Sequence, residues 1–220
     1  MGGVFQFRSC ASLEQLTGRK ATTLEELLSL IRTCSESSIF YHTFSAFLKM
    51  RQVKRPHNSD FAAWASTGLN EKALAEKMTA IELLEFNTIG ELRKRLIEII
   101  EAYREEKPGA FKKTSDEPFF LYDVKRFVYL TDKFAYDLGS FIELLPTISM
   151  YSVYYHFIES RLETGMRADD FSVWIEDTLN LPDLAQKIRA IDIYAYDLEG
   201  LRHHIIQILD EYRKQGGTIE

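Results

Sequence analysis

Cysteine is scarce: Cys10 and Cys34 are the only two in 220 residues. Two make neither a disulfide framework nor a metal-ligand set, so free buried thiols and a reducing, cytoplasmic setting are expected. No apolar run approaches the roughly 18 residues that a membrane-spanning helix needs. The opening MGGVFQFRSC lacks the charged start, apolar middle and cleavage site of a secretory signal. Gly2 hints at myristoylation, but Phe5 and Gln6 do not supply the Ser or Thr required at the sixth position. A Gly-rich phosphate loop, a CxxC pair and an HExxH motif are all missing, which removes the common motif-bearing nucleotide and metalloenzyme classes. Basic charge is short as well. Against 33 Asp and Glu stand 27 Lys and Arg, a net charge of −6 that argues against broad nucleic-acid binding.

What the chain does contain is itself, twice. Sliding it by 114 places Leu16–His42 on Leu130–His156 with 10 of 27 residues identical. Slides of 110 and 109 place Ser59–Glu82 on Asp169–Asp192, and Leu92–Arg104 on Leu201–Arg213, with 10 of 24 and 6 of 13 identical. A unit of about 110 residues is too long for a solenoid repeat and long enough for a small domain. The expected organisation is a first repeat over 1–106, a linker over 107–118 and a second repeat over 119–216, packed as a covalent pseudo-dimer. Charge differs between the halves: residues 1–110 hold 15 basic and 14 acidic side chains, and the rest hold 12 and 19.

Apolar spacing within each copy is helical. Leu24, Leu27, Leu28 and Ile31 recur at three and four, as do Leu138, Phe141, Ile142 and Leu145. Thr22 or Thr23, with Glu25 or Glu26 three residues on, forms a helix start, and Asp137 takes that place in the second copy. Further helices are predicted over Ser37–Met50 and Tyr151–Leu162, from DFAAW and DFSVW, over ALAEKMTAI and DLAQKIRAI, and over IGELRKRLIEIIEAYR and LEGLRHHIIQILDEYR. Asp60 and Asp170 are expected to cap the helices that open DFAAW and DFSVW. Strand signals are confined to FQF and FFLY at the heads of the copies. The predicted class is all-α, with about five helices per copy.

The segments LTGRKATTLEELL, SSIFYHT, NSDFAAW, ALAEKMTAI and ELRKRLIEII resemble an uncharacterised bacterial and archaeal two-repeat helical family, a domain of unknown function. The resemblance runs along nearly the whole chain. It implies a cytoplasmic two-repeat protein and brings no known activity, cofactor or catalytic residue. The second copy departs from it where LTDKFAYDLGSF lacks the equivalents of Gly18 and Lys20.

The candidate ligand or inter-repeat site is the repeated set Tyr41, His42, Asp60 and Trp64 with Tyr155, His156, Asp170 and Trp174. Ser38 and Ser152 lie four residues before the histidines, on the same helix face. Two imidazoles and two carboxylates near a pseudo-twofold axis could hold zinc or non-haem iron. The structural alternative makes each Asp a helix cap and each His a hydrogen-bonding strut. Phe61 and Trp64, repeated as Phe171 and Trp174, are core residues first and a platform for a sugar or base second. Arg51, Lys54 and Arg55, in KMRQVKRPH, form an anion-binding candidate that the second copy lacks, while His203 and His204 read as a solvated face.

The sequence thus predicts a protein-interaction or regulatory module, with self-association or a protein partner and without nucleic acid or membrane. The alternative is a small-molecule or metal-binding protein, or an enzyme, with its site near the two Tyr-His pairs. No catalytic residue and no cofactor can be assigned.

Overall fold

The computed structural model of the chain describes residues 3–45, 56–161 and 168–215. In order these form β1 (Phe5–Ala21), α1 (Leu24–Thr33), α2 (Glu36–His42), α3 (Asp60–Thr67), α4 (Lys72–Thr79) and α5 (Ile89–Glu106). The same sequence of elements then recurs as β2 (Phe119–Ala135), α6 (Leu138–Leu144), α7 (Met150–Tyr154), α8 (Asp170–Asp177), α9 (Pro182–Arg189) and α10 (Leu198–Lys214). A π-turn over Tyr155–Glu159 follows α7.

The all-α expectation is corrected. Among the described residues strand makes up 17% and helix 59%, and β1 and β2 pair antiparallel as a two-stranded sheet, so the class is mixed α/β. FQF and FFLY are the heads of two 17-residue strands. The rest escaped because strands are recognised by alternation of apolar and polar residues, which marks one buried face. Ala11–Leu16 and Lys125–Leu130 are exposed at every position, so no alternation was there to read.

The chain divides into two compact units that do not follow the copies of the repeat. The first is Ser12–Arg126. The second joins Met1–Ala11 to Phe127–Glu220. Each strand is thus shared out, its first part to one unit and its remainder to the other.

In the first unit, α1 buries Leu24, Leu27, Leu28 and Ile31 completely, as the three-and-four spacing predicts. Phe61, Leu74, Leu92 and Ile100 from α3, α4 and α5 meet them in the core. Each such side chain contributes about 1.5–3 kcal/mol when withdrawn from water. Thr23 and Glu26 form the capping box that holds the start of α1. Between α5 and β2, Pro108–Lys112 form a 3-10 turn. The second unit repeats this plan around Phe7, Phe141, Phe157 and Phe171, with Leu184, Ile188, Ile205 and Leu209 from the later helices. Asp137 caps α6, with Ser140 completing a capping box. Asn70 and Asn180 take matching left-handed conformations, φ 54° and 56°, after α3 and α8. Asn tolerates that region better than other non-glycine residues, so both chains can reverse there.

Two helix boundaries differ from expectation. The helix predicted over Ser37–Met50 runs from Glu36 to His42 and turns at Thr43–Ser45; residues 46–50 lie outside the described residues. Its counterpart is α-helical only to Tyr154 before the π-turn, and Leu162 lies outside the described residues.

Candidate functional site

In the second unit the Tyr-His pair holds a strand. The His156 Nε2 atom accepts a hydrogen bond from the backbone N–H of Arg8 in β1, at 2.7 Å. Since Nε2 accepts, the ring proton sits on Nδ1, which donates to Asp170 Oδ2, also at 2.7 Å. One turn earlier Ser152 donates from its hydroxyl to the Arg8 carbonyl, 2.5 Å away. The Ser-x-x-x-His spacing therefore serves both polar groups of one strand residue, much as a neighbouring strand would. Trp174 closes the strand's approach, its indole N–H donating to the Gly3 carbonyl at 2.8 Å. Phe5 lies against the His156 ring with centroids 4.9 Å apart. Burial pushes the His156 pKa below its ordinary value, despite the opposing pull of Asp170, so the ring is neutral at pH 7.

The first unit builds a similar clamp on β2, although Ser38, the counterpart of Ser152, shares its hydroxyl hydrogen bond with Ser35 at 3.0 Å. His42 Nε2 accepts from the backbone N–H of Tyr122 at 3.0 Å, and its Nδ1 faces Asp60 Oδ2 at 3.0 Å. Trp64 donates to the Glu117 carbonyl at 2.7 Å, and Phe119 lies 4.7 Å from the His42 ring. Asp60 and Asp170 were expected to cap helices. Ser59 and Asp169, one residue earlier, do so instead, and the two Asp carboxylates are turned to the imidazoles.

The two clamps differ at the tyrosine. The Tyr41 hydroxyl donates to Glu14 at 2.6 Å, whereas Tyr155 accepts from the Arg8 guanidinium at 3.4 Å. Burial, and then the Glu14 hydrogen bond, push the Tyr41 pKa well above the usual tyrosine range. Tyr41, His42, Asp60 and Trp64 line an open cleft of about 430 Å³, together with Glu14, Phe119, Phe120 and Tyr122. Sequence reasoning missed Phe5, Arg8, Phe119 and Tyr122. The slide of 114 that aligns the histidines also aligns Phe5 with Phe119, and extending it backwards would have found them.

The remaining candidates scatter. Arg51, Lys54 and Arg55 lie outside the described residues. His57 bonds Thr79 at 2.9 Å, His203 is exposed and bonds Gln207, and His204 stacks on Tyr196. Cys10 and Cys34 are free and buried. Among the described residues no three His, Cys, Asp or Glu side chains gather as a metal site. No described helix is long and apolar enough to cross a membrane.

A family model, "Family of unknown function (DUF5752)", matches residues 2–210. The chain belongs to that family. Among solved structures, this chain is similar to OrfY from Thermoproteus tenax, with 27% sequence identity, a TM-score of 0.81 and 95% of each chain covered. Comparison with curated proteins found no match.

Proposed function

We propose that this DUF5752 protein is a protein-interaction module whose histidines brace strands and whose exposed strand surface meets the partner. The observation that carries this reading is the run Phe127–Leu130. Its four apolar side chains are exposed by 55, 40, 52 and 61%. Such a concentration of exposed apolar side chains, two on each face of the strand, marks association sites. A catalytic role for His42 or His156 would require an imidazole nitrogen to leave its present partner, because Asp60 with Tyr122, and Asp170 with Arg8, engage both nitrogens of each ring. A metal would impose the same displacement.

The test is a photo-crosslinking residue at position 129 in cells that produce the protein, with one at exposed Glu101 as control. A discrete adduct from 129 and none from 101 supports the reading; equal adducts, or none from either, oppose it. The cleft beside Tyr41 favours a second reading, a small ligand held against Trp64 and Asp60. Trp174→Phe leaves Trp64 as the sole tryptophan, and ligand addition that moves its fluorescence would support that alternative.

A further inference from the structure

The exposed run lies on a strand with an open edge. Among the described residues the sheet has two strands, so β2 has β1 on one side and no strand on the other. Further along the second unit, Phe134 and Tyr136 are also exposed, by 39 and 65%. An aromatic ring buries about 200 Å² when fully covered, so Phe127 and Tyr129 together leave roughly 200 Å² of ring surface in water before Val128 and Leu130 are added. Residues 127–131 carry no charge. A long, apolar, open strand edge is a template for another strand, and natural proteins ordinarily blunt it with charge or proline.

We infer that the occupant is a second copy of this chain, pairing antiparallel through β2 about a twofold axis at Tyr129. This rests on the interaction reading above and names its partner. A twofold axis normal to the sheet makes the strand its own complement. Val128 then faces Leu130 of the second copy, Tyr129 faces Tyr129, and Phe127 faces Thr131, pairs of the apolar and β-branched kinds that stabilise sheets. Arg126 comes opposite Asp132, an attractive pair, and Lys125 opposite Lys133, a repulsive one at the screened end of the strand. Side-by-side pairing over residues 125–133 covers the strand edges and the flanks of these side chains, an area at the small end for specific interfaces and suited to a dimer that forms as concentration rises. The uncharged run also offers an approach that the net charge of −6 does not oppose locally.

Sedimentation equilibrium of the purified chain over a wide concentration range tests this. The wild type is expected at twice the 25.5 kDa chain mass. Val128→Lys should weaken association at least tenfold, with an unchanged far-UV spectrum and urea midpoint. Asp132→Arg should weaken it as well, and adding Arg126→Asp should restore it. Should Val128→Lys fail to fold, Tyr129→Thr removes the central ring while keeping a good strand former. A wild type at single-chain mass at the highest concentration, or a dimer unmoved by either variant, overturns the inference. The interaction reading survives that result if position 129 still crosslinks to a species of another mass, and fails with it if 129 crosslinks to nothing.

Discussion

Replacing His156 with alanine removes the group that satisfies the outer edge of β1. The Arg8 N–H, 2.7 Å from Nε2, loses its acceptor in a site where His156 is 2% exposed. Arg8 is an exposed residue whose bond to His156 is part-buried, so losing that acceptor costs about 1–2 kcal/mol, below the full penalty of a buried donor. The ring also fills space between Phe5, Phe7 and Phe171, with centroids at 4.9, 6.0 and 5.4 Å, and truncation there leaves a cavity worth a further ~2 kcal/mol. The expected loss is about 3–4 kcal/mol, a large part of the stability of an ordinary domain. His156→Gln keeps an acceptor near the Nε2 position and most of the volume, so it should cost about 1–2 kcal/mol. Urea unfolding followed by far-UV circular dichroism, with tyrosine and tryptophan fluorescence as a second probe, measures both. The probes need not coincide, because two compact units can unfold separately. An alanine variant that loses under 1 kcal/mol, or glutamine and alanine variants of equal effect, would refute the strand-clamp account.

The same histidine sets a pH response. Burial holds folded His156 below its ordinary value, while Asp170 and Asp169 pull it up and Arg8 pushes it further down. Between that lowered value and about 6.5 the unfolded chain binds the extra proton, so stability is full above pH ~6.5 and falls as pH drops through the window. In His156→Gln this slope should flatten, which urea midpoints at several pH values would register. Glu71 acts lower on the scale. Its buried carboxylate accepts from Tyr103 at 2.6 Å, Lys107 at 2.8 Å and Lys113 at 2.5 Å. Burial alone would raise its pKa, but those hydrogen bonds outweigh it and hold the group at about 2, against an ordinary 4.5. Its contribution is present above pH ~4.5 and disappears as pH falls towards 2. Glu71→Gln should cost about 1–2 kcal/mol near pH 7, discounted for the exposed lysines, and nearly nothing near pH 2, as thermal melts would show. Trp64→Phe and Trp174→Phe each lose one indole hydrogen bond to a chain carbonyl and should each cost about 1 kcal/mol in urea titrations.

The helices were legible in the residues because each one carries its own signal. The stripe Leu24, Leu27, Leu28 and Ile31 marks a buried face, and Thr23 with Glu26 marks where it starts. The strands were not, because their central residues face water on both sides and leave no period to detect. Tyr41, His42, Asp60 and Trp64 line one cleft, but nothing in their spacing shows what each one bonds. That depends on Tyr122 and Glu117, which lie 80 and 53 residues away from the groups they bond. The cap at Ser59 rather than Asp60 shows the same limit. Either residue can cap a helix; only the distant-in-sequence His42 decides which one is released for other work.

Because β1 is divided between the units, synthesis and folding run out of step. Phe5 and Phe7 precede Phe141, His156 and Phe171, on which they rest, by more than 130 residues. Residues Ser12–Arg126 can close on themselves as soon as β2 begins to emerge. The segment with Phe5 and Phe7 must wait, with both rings uncovered, until the helices they pack on have been made. A nascent chain of this protein therefore carries that apolar segment through the synthesis of everything between, and the segment is where a chaperone would have most to hold.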